Sequence, residues 1–142
     1  MKIILGIFIT LITFTAANAQ DINTTLYSGK VNNRSVRLYL KEEGNQCGGP
    51  VLYSGIYQYG VGKNWIELSI QSNENGRYAM TEYRFTGVLI LNRATDGLEG
   101  IWISPDGKTQ LKVLLKKQKL TQELKEELED GLERTHYENY DC

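Results

Sequence analysis

One carboxylate stands out by its position. Glu82 falls in the run 77–83, RYAMTEY, and strand parity places it on the same face as Tyr78 and Met80. Successive side chains of a strand point to opposite faces, so if Tyr78 and Met80 face an apolar interior, Glu82 does too. It would then sit near Tyr57, Tyr59 and Trp102. A carboxylate in such surroundings is costly unless paired or hydrogen-bonded, and functional sites often hold one. One chemistry that fits is an anchor for a polar or cationic ligand, with Glu82, Tyr57, Tyr59 and Trp102 as ligand-binding residues. The plainer alternatives are a structural hydrogen bond to Glu82 from a tyrosine hydroxyl or an arginine, or a solvent-exposed Glu82.

The two cysteines, Cys47 and Cys142, are the next reactive groups. In an oxidising compartment they allow one intramolecular disulfide, which would tie the last residue to the loop 44–50. A lone exposed Cys47 thiol is the competing reading. Catalysis finds little support. His136 is the only histidine, and no Gly-rich phosphate loop follows a strand. His136, Glu138, Asp141 and Cys142 form a conceivable metal cluster, but their spacing matches no standard site. Paired carboxylates could serve as acid and base on a sugar, yet no pair can be placed face to face from the sequence. No catalytic residue, metal or cofactor is therefore assigned. Nine Tyr and two Trp make the chain aromatic-rich. Tyr39, between Arg37 and Lys41, is expected to face outward, where it would stack a ligand or, more ordinarily, stiffen a cross-strand pair.

Eight short runs have strand character: 24–31, 35–41, 51–59, 64–71, 77–83, 85–92, 97–103 and 109–116. Turn residues separate them, among them Asn32-Asn33, Asn75-Gly76, Asp96-Gly97 and Asp106-Gly107, which accept the positive φ of tight turns. Alternation is clear in Val36, Leu38 and Leu40 against Arg37, Tyr39 and Lys41, and in Ile66, Leu68 and Ile70 against Trp65, Glu67 and Ser69. Regular short strands of this kind predict an all-β antiparallel meander of about eight strands. Gly55, Gly87 and Gly100 inside strands mark bends or close packing beneath an aromatic, which favours a barrel over a sandwich. After it, Leu120, Leu124, Leu128 and Leu132 recur every four residues and predict an amphipathic C-terminal α-helix of about fourteen residues. Such a helix is marginal alone and is expected to pack on the barrel wall or close one end. A partner-binding helix is the sharper alternative. The stretch 135–142 reads as a loop returning to Cys47.

The chain divides into 1–19, 20–118 and 119–142. Lys2, the apolar run 3–14 and Ala17-Asn18-Ala19 have the layout of a cleavable signal peptide. The run is shorter than the ~20 residues a membrane span needs, so a periplasmic or secreted mature chain starting near Gln20 is expected. Residues 20–118 form the β-barrel domain and carry 12 Lys/Arg against 9 Asp/Glu; residues 119–142, helix and tail, carry 3 against 8. A formal net charge of −1 lacks the basic excess of a nucleic-acid binder.

The strand motifs carry a resemblance. Gly55/Tyr57/Tyr59, Ile66/Leu68, Met80/Glu82, Phe85/Gly87 and Leu98/Gly100/Trp102 follow the order G-x-Y-x-Y, I-x-L, a strand ending in Glu, F-x-G and L-x-G-x-W. In this the chain resembles a loose class of small exported bacterial β-rich proteins, and the likeness covers most of 24–116. The class brings no activity with it. The strand grammar is also similar to lipocalin and avidin barrels, although the lipocalin G-x-W of the first strand is missing and the only G-x-W lies on the seventh. No ligand residue carries over from either.

The expected function is non-catalytic binding outside the cytoplasm. An interior lined by small residues would suit a carrier of a small apolar or amphipathic ligand. An interior filled by Trp102, Tyr57, Phe85 and leucines would suit a protein-binding module, such as a periplasmic inhibitor or immunity protein against a toxin or hydrolase. A small enzyme acting on an envelope component is the remote alternative.

Overall fold

The computed structural model describes residues 21–62, 64–73 and 75–140. Eight antiparallel strands close into a barrel: β1 (Ile22–Val31), β2 (Arg34–Glu43), β3 (Leu52–Tyr59), β4 (Ile66–Ser72), β5 (Arg77–Glu82), β6 (Val88–Ala94), β7 (Gly97–Ile103) and β8 (Gln110–Gln118). Each strand pairs with the next, and β8 returns to β1 in a register that sets Leu26 opposite Gln118 and Val31 opposite Val113. The helix α1 (Gln122–Tyr140) follows. The signal-peptide reading falls on residues outside the described ones.

A meander places its connections at alternate ends. The β1–β2, β3–β4, β5–β6 and β7–β8 connections share what we call the upper end. The β2–β3, β4–β5 and β6–β7 connections lie at the lower end, with the start of β1 and the exit of β8.

Period-two alternation fills the interior. Tyr27, Val31, Val36, Leu38, Leu40, Tyr57, Leu68, Tyr78, Met80, Leu89, Leu91, Leu98, Val113 and Leu115 form one buried cluster, with Tyr53, Tyr59, Ile66, Ile70, Trp102 and Leu111 packed against it. An eight-stranded barrel is just wide enough for its own side chains, and tyrosines and leucines of this volume occupy that width. Closure needs tight corners. A Cβ at Gly100 would collide with the carbonyl oxygen of Ile90 on β6, so only glycine lets β7 approach there.

The outer wall of β1 to β3 is apolar as well, because α1 covers it. Leu128 and Leu132 bury against Leu26, Tyr39 and Ile56, with Trp65, Leu120 and Leu124 at the margin. Tyr39 thus points away from the barrel interior, as parity requires, yet it is fully buried instead of facing water. Its hydroxyl donates to Glu129 Oε1 at 2.5 Å, and Lys41 Nζ lies 3.4 Å from Glu129 Oε2. Thr121 caps the helix start, its Oγ1 accepting the Leu124 N–H at 3.3 Å.

Three local expectations are corrected. The helix runs 19 residues, through Tyr140, where the sequence predicts a returning loop from 135. The leucine stripe ends at Leu132, but polar contacts hold the last turn: Asn139 Nδ2 donates to Glu67 Oε2 at 2.7 Å, His136 Nδ1 lies 2.7 Å from Glu67 Oε1, and the Tyr83 hydroxyl donates to the Asn139 carbonyl at 2.8 Å. The strand expected over 85–92 begins at Val88, after a tight turn at Tyr83–Phe85. Phe85, expected among the interior fillers, is 55% exposed.

Candidate functional site

At the upper end the barrel brings together all four residues singled out around the buried carboxylate. Glu82 is the last residue of β5, Tyr57 and Tyr59 project inward from β3, and Trp102 projects from β7. Glu82 is only 4% exposed. Its Oε1 accepts a hydrogen bond from the Tyr57 hydroxyl and another from Trp102 Nε1 at 2.5 Å; its Oε2 accepts from Thr86 Oγ1 at 2.6 Å. The Tyr57 and Tyr59 hydroxyls are 3.0 Å apart, and the rings meet edge to face at 5.2 Å. Burial pushes the Tyr57 phenol far above its ordinary pKa, and its bond to Glu82 adds to the effect. Burial raises Tyr59 too. Three protein donors therefore converge on one carboxylate, and the Tyr57 hydroxyl is among them. Among the described residues no buried side-chain nitrogen or oxygen lacks a partner.

Thr86 belongs to the β5–β6 connection, so the carboxylate also grips the loop above it. The Glu82 N–H donates to the Gly87 carbonyl at 3.0 Å and closes that loop at its base. Gly87 lies against the Trp102 indole, where a Cβ would collide with the ring. Within the loop, Arg84 and Phe85 both hold left-handed backbone, with φ of 61° and 57°.

A second cluster closes the lower end, and sequence reasoning missed it. Glu42 continues the inward face of Val36, Leu38 and Leu40, so strand parity carried the signal. Its Oε1 accepts from the Tyr78 hydroxyl at 3.1 Å and from Arg93 Nη2 at 2.8 Å. Arg93 also bonds the Tyr78 hydroxyl, and Tyr53 meets the Tyr78 ring edge-on at 5.8 Å. Burial is the leading cause that pushes the Tyr78 phenol up to about 12, against the opposing hydrogen bond from Arg93.

Outside the barrel, a groove of about 540 Å³ runs between α1 and the wall, lined by Arg37, Gln58 and Trp65 from the wall side and Glu127, Arg134 and Glu138 from the helix. Arg37 lies over the Trp65 ring at 5.4 Å and donates from Nε to Gln58 Oε1 at 3.1 Å. Gln58 in turn donates to the Gly62 carbonyl at 2.6 Å. On the wall side, Arg37 and Gln58 are thus engaged with their neighbours.

Cys47 is exposed in the lower-end β2–β3 loop. Its expected disulfide partner, Cys142, lies outside the described residues. Of the conceivable metal cluster, His136 is engaged with Glu67, Glu138 lines the outer groove, and Asp141 and Cys142 lie outside the described residues. Among the described residues no helix is long and apolar enough to cross a membrane. No protein-family model, curated protein or solved structure matches this chain.

Proposed function

We propose that the chain is an exported, non-catalytic binding protein that engages a protein partner through its outer surface and loops. The observation that carries this reading is the filled interior: one cluster of large side chains occupies the barrel, and a tyrosine–carboxylate cluster plugs each end. A carrier of a small ligand needs an enclosed cavity of some hundreds of Å³, and side chains take that space here. An inhibitor or immunity protein against a toxin or hydrolase fits the same reading, because such a protein presents a rigid surface. The resemblance to small exported β-rich proteins supports the export part, as does the signal-peptide layout of 1–19.

The bridge between Cys47 and Cys142 belongs to this proposal, and the meander sets a condition on it. Cys47 lies in a lower-end loop, whereas Tyr140 packs on Tyr83 of an upper-end connection, with ring centroids 5.4 Å apart. Two residues span at most about 7 Å of extended chain. Closing the bridge within one chain therefore requires the last helical turn to leave Tyr83.

Native mass spectrometry of protein recovered from the exported fraction tests these points together. A chain starting at Gln20, bound to a polypeptide and to no small molecule, is the expected result. A small-molecule mass lost on denaturation would replace the proposal with the carrier reading. A denatured monomer lighter by two hydrogens until reduced would establish the bridge, and faster amide exchange at Asn139 and Tyr140 should accompany it.

A further inference from the structure

The β5–β6 connection combines three features. Arg84 and Phe85 are consecutive non-glycine residues in left-handed backbone. For bulky side chains that conformation is an outlier and carries strain. Phe85 gains no burial in exchange, because it stands 55% exposed at the upper end. The surrounding structure nevertheless holds the loop from both sides. Thr86 bonds the buried Glu82 carboxylate, and Tyr83 bonds the last turn of α1. Strain maintained by a buried anchor in order to expose an aromatic side chain is what a recognition element requires.

Charge gives the chemistry of the partner. Among the described residues, the upper-end connections and the strand ends beside them present Arg34, Arg84 and Lys108 exposed against one exposed carboxylate, Asp106; the flanking Glu82 is buried and Glu67 half-buried, and Arg34 and Arg84 lie over the Tyr59 and Tyr83 rings at 6.0 and 5.4 Å. Asp106 is already engaged by the Ser104 hydroxyl at 2.6 Å and the Lys108 N–H at 3.1 Å. Val61, on the neighbouring β3–β4 connection, is completely exposed. Apolar tips among cations fit an apolar pocket bordered by carboxylates. A fixed backbone lowers the ordering cost of binding. One apolar tip among a few cations suits a shaped pocket on a folded protein, whereas a lipid surface or a nucleic acid calls for a larger cluster of basic side chains.

We propose that Arg84 and Phe85 form the recognition tip of this protein, seating Phe85 in an apolar pocket beside a carboxylate on a folded protein partner, with Glu82 and Thr86 as positioning residues. The proposal deepens the protein-binding reading and rests on it.

Photo-crosslinking in the exported compartment tests both separately. Benzoylphenylalanine is placed in the full chain at Phe85, at Leu114 on the outer face of β8, and at Leu52 at the lower end; the last two are exposed controls. The expected result is a protein adduct at position 85 whose crosslinked peptide contains Asp or Glu. Arg84→Glu should lower its yield at least about tenfold, as for a charged residue at a binding hot spot, and a Lys in place of the partner's carboxylate should restore it. Thr86→Val should lower the yield with the fold intact, and Thr86→Ser should recover it, which a merely structural hydroxyl at an exposed loop would not do. Protein adducts only at Leu114 or Leu52, or an adduct at 85 indifferent to Arg84→Glu, would overturn the recognition tip and leave protein binding standing. Adducts to lipid or nucleic acid alone, or no adduct at any of the three positions, would overturn both.

Discussion

At the scale of single residues the molecule turns on where carboxylates meet donors. Glu82 and Glu42 each sit on an inward strand face, and each collects a tyrosine hydroxyl together with a further N–H donor. Hydrogen bonds to a charged acceptor contribute about 1.5–3 kcal/mol each, more than neutral ones. Glu82→Gln keeps the shape but replaces one acceptor oxygen with an NH2 donor. The amide oxygen can retain Tyr57 and Trp102, while the NH2 group confronts the Thr86 hydroxyl, which must turn to accept. We expect this variant to lose about 2 kcal/mol of stability, read as a lower denaturation midpoint at an unchanged slope. A midpoint that does not move would mean that Glu82 anchors nothing. Gly87→Ala acts on the same cluster from the other side, since its new methyl displaces the Trp102 indole that bonds Glu82; it should destabilise the chain comparably and shift the tryptophan emission. Strand parity alone suffices to group Glu82 with Tyr57, Tyr59 and Trp102. Parity also reaches Glu42, but that residue sits at a strand end beside Glu43, where an exposed charge is the ordinary expectation.

At the scale of elements, α1 is the piece whose contribution the sequence pattern both announces and understates. The leucine repeat correctly identifies its buried stripe, and Leu128 is 2% exposed against β1 to β3. Leu128→Ala should cost about 3 kcal/mol by opening a cavity between helix and wall, measured by chemical denaturation. A loss well under about 1 kcal/mol would mean that the helix docks too loosely to be part of the folded unit. The last turn is not legible in the sequence, because it is held by Asn139, His136 and Tyr83 through polar contacts that carry no hydropathy period. The Tyr83–Phe85 turn is hidden for a different reason. Left-handed backbone normally announces itself by Gly, Asn or Asp, and Tyr-Arg-Phe carries none of them. Tertiary bonds impose the conformation there, so a local reading mistakes Phe85 for the start of a strand and for core.

For the whole molecule, closure of the barrel follows from features spread along the chain: eight alternating runs, turn residues between them, and glycines where strands approach closely. The fate of the interior does not follow from them, because a wall of alternating apolar residues can line a cavity or fill it, and only the volumes of facing side chains decide. Here tyrosines decide it, and they tie the fold to pH. Burial is the leading cause that raises Tyr27, Tyr39, Tyr57, Tyr59 and Tyr78 above the ordinary phenol value. A group whose pKa is higher folded than unfolded holds its proton more tightly in the folded chain. Its contribution is complete below about pH 10 and is lost as pH rises from there through the folded value, which for Tyr78 is about 12. Stability should therefore show no tyrosine-linked change up to about pH 10 and fall steeply between about 10 and 12. Tyrosinate absorbance and far-ultraviolet circular dichroism, followed on one sample, read the two events together. Tyr27, Tyr57, Tyr59 and Tyr78, which face the interior, and Tyr39 beneath α1 are expected to ionise in step with loss of the barrel signal. If they instead ionised with the barrel intact, hydroxide would have free access to the interior, the plugs at Glu82 and Glu42 would be open gates, and the carrier reading would regain the cavity it lacks.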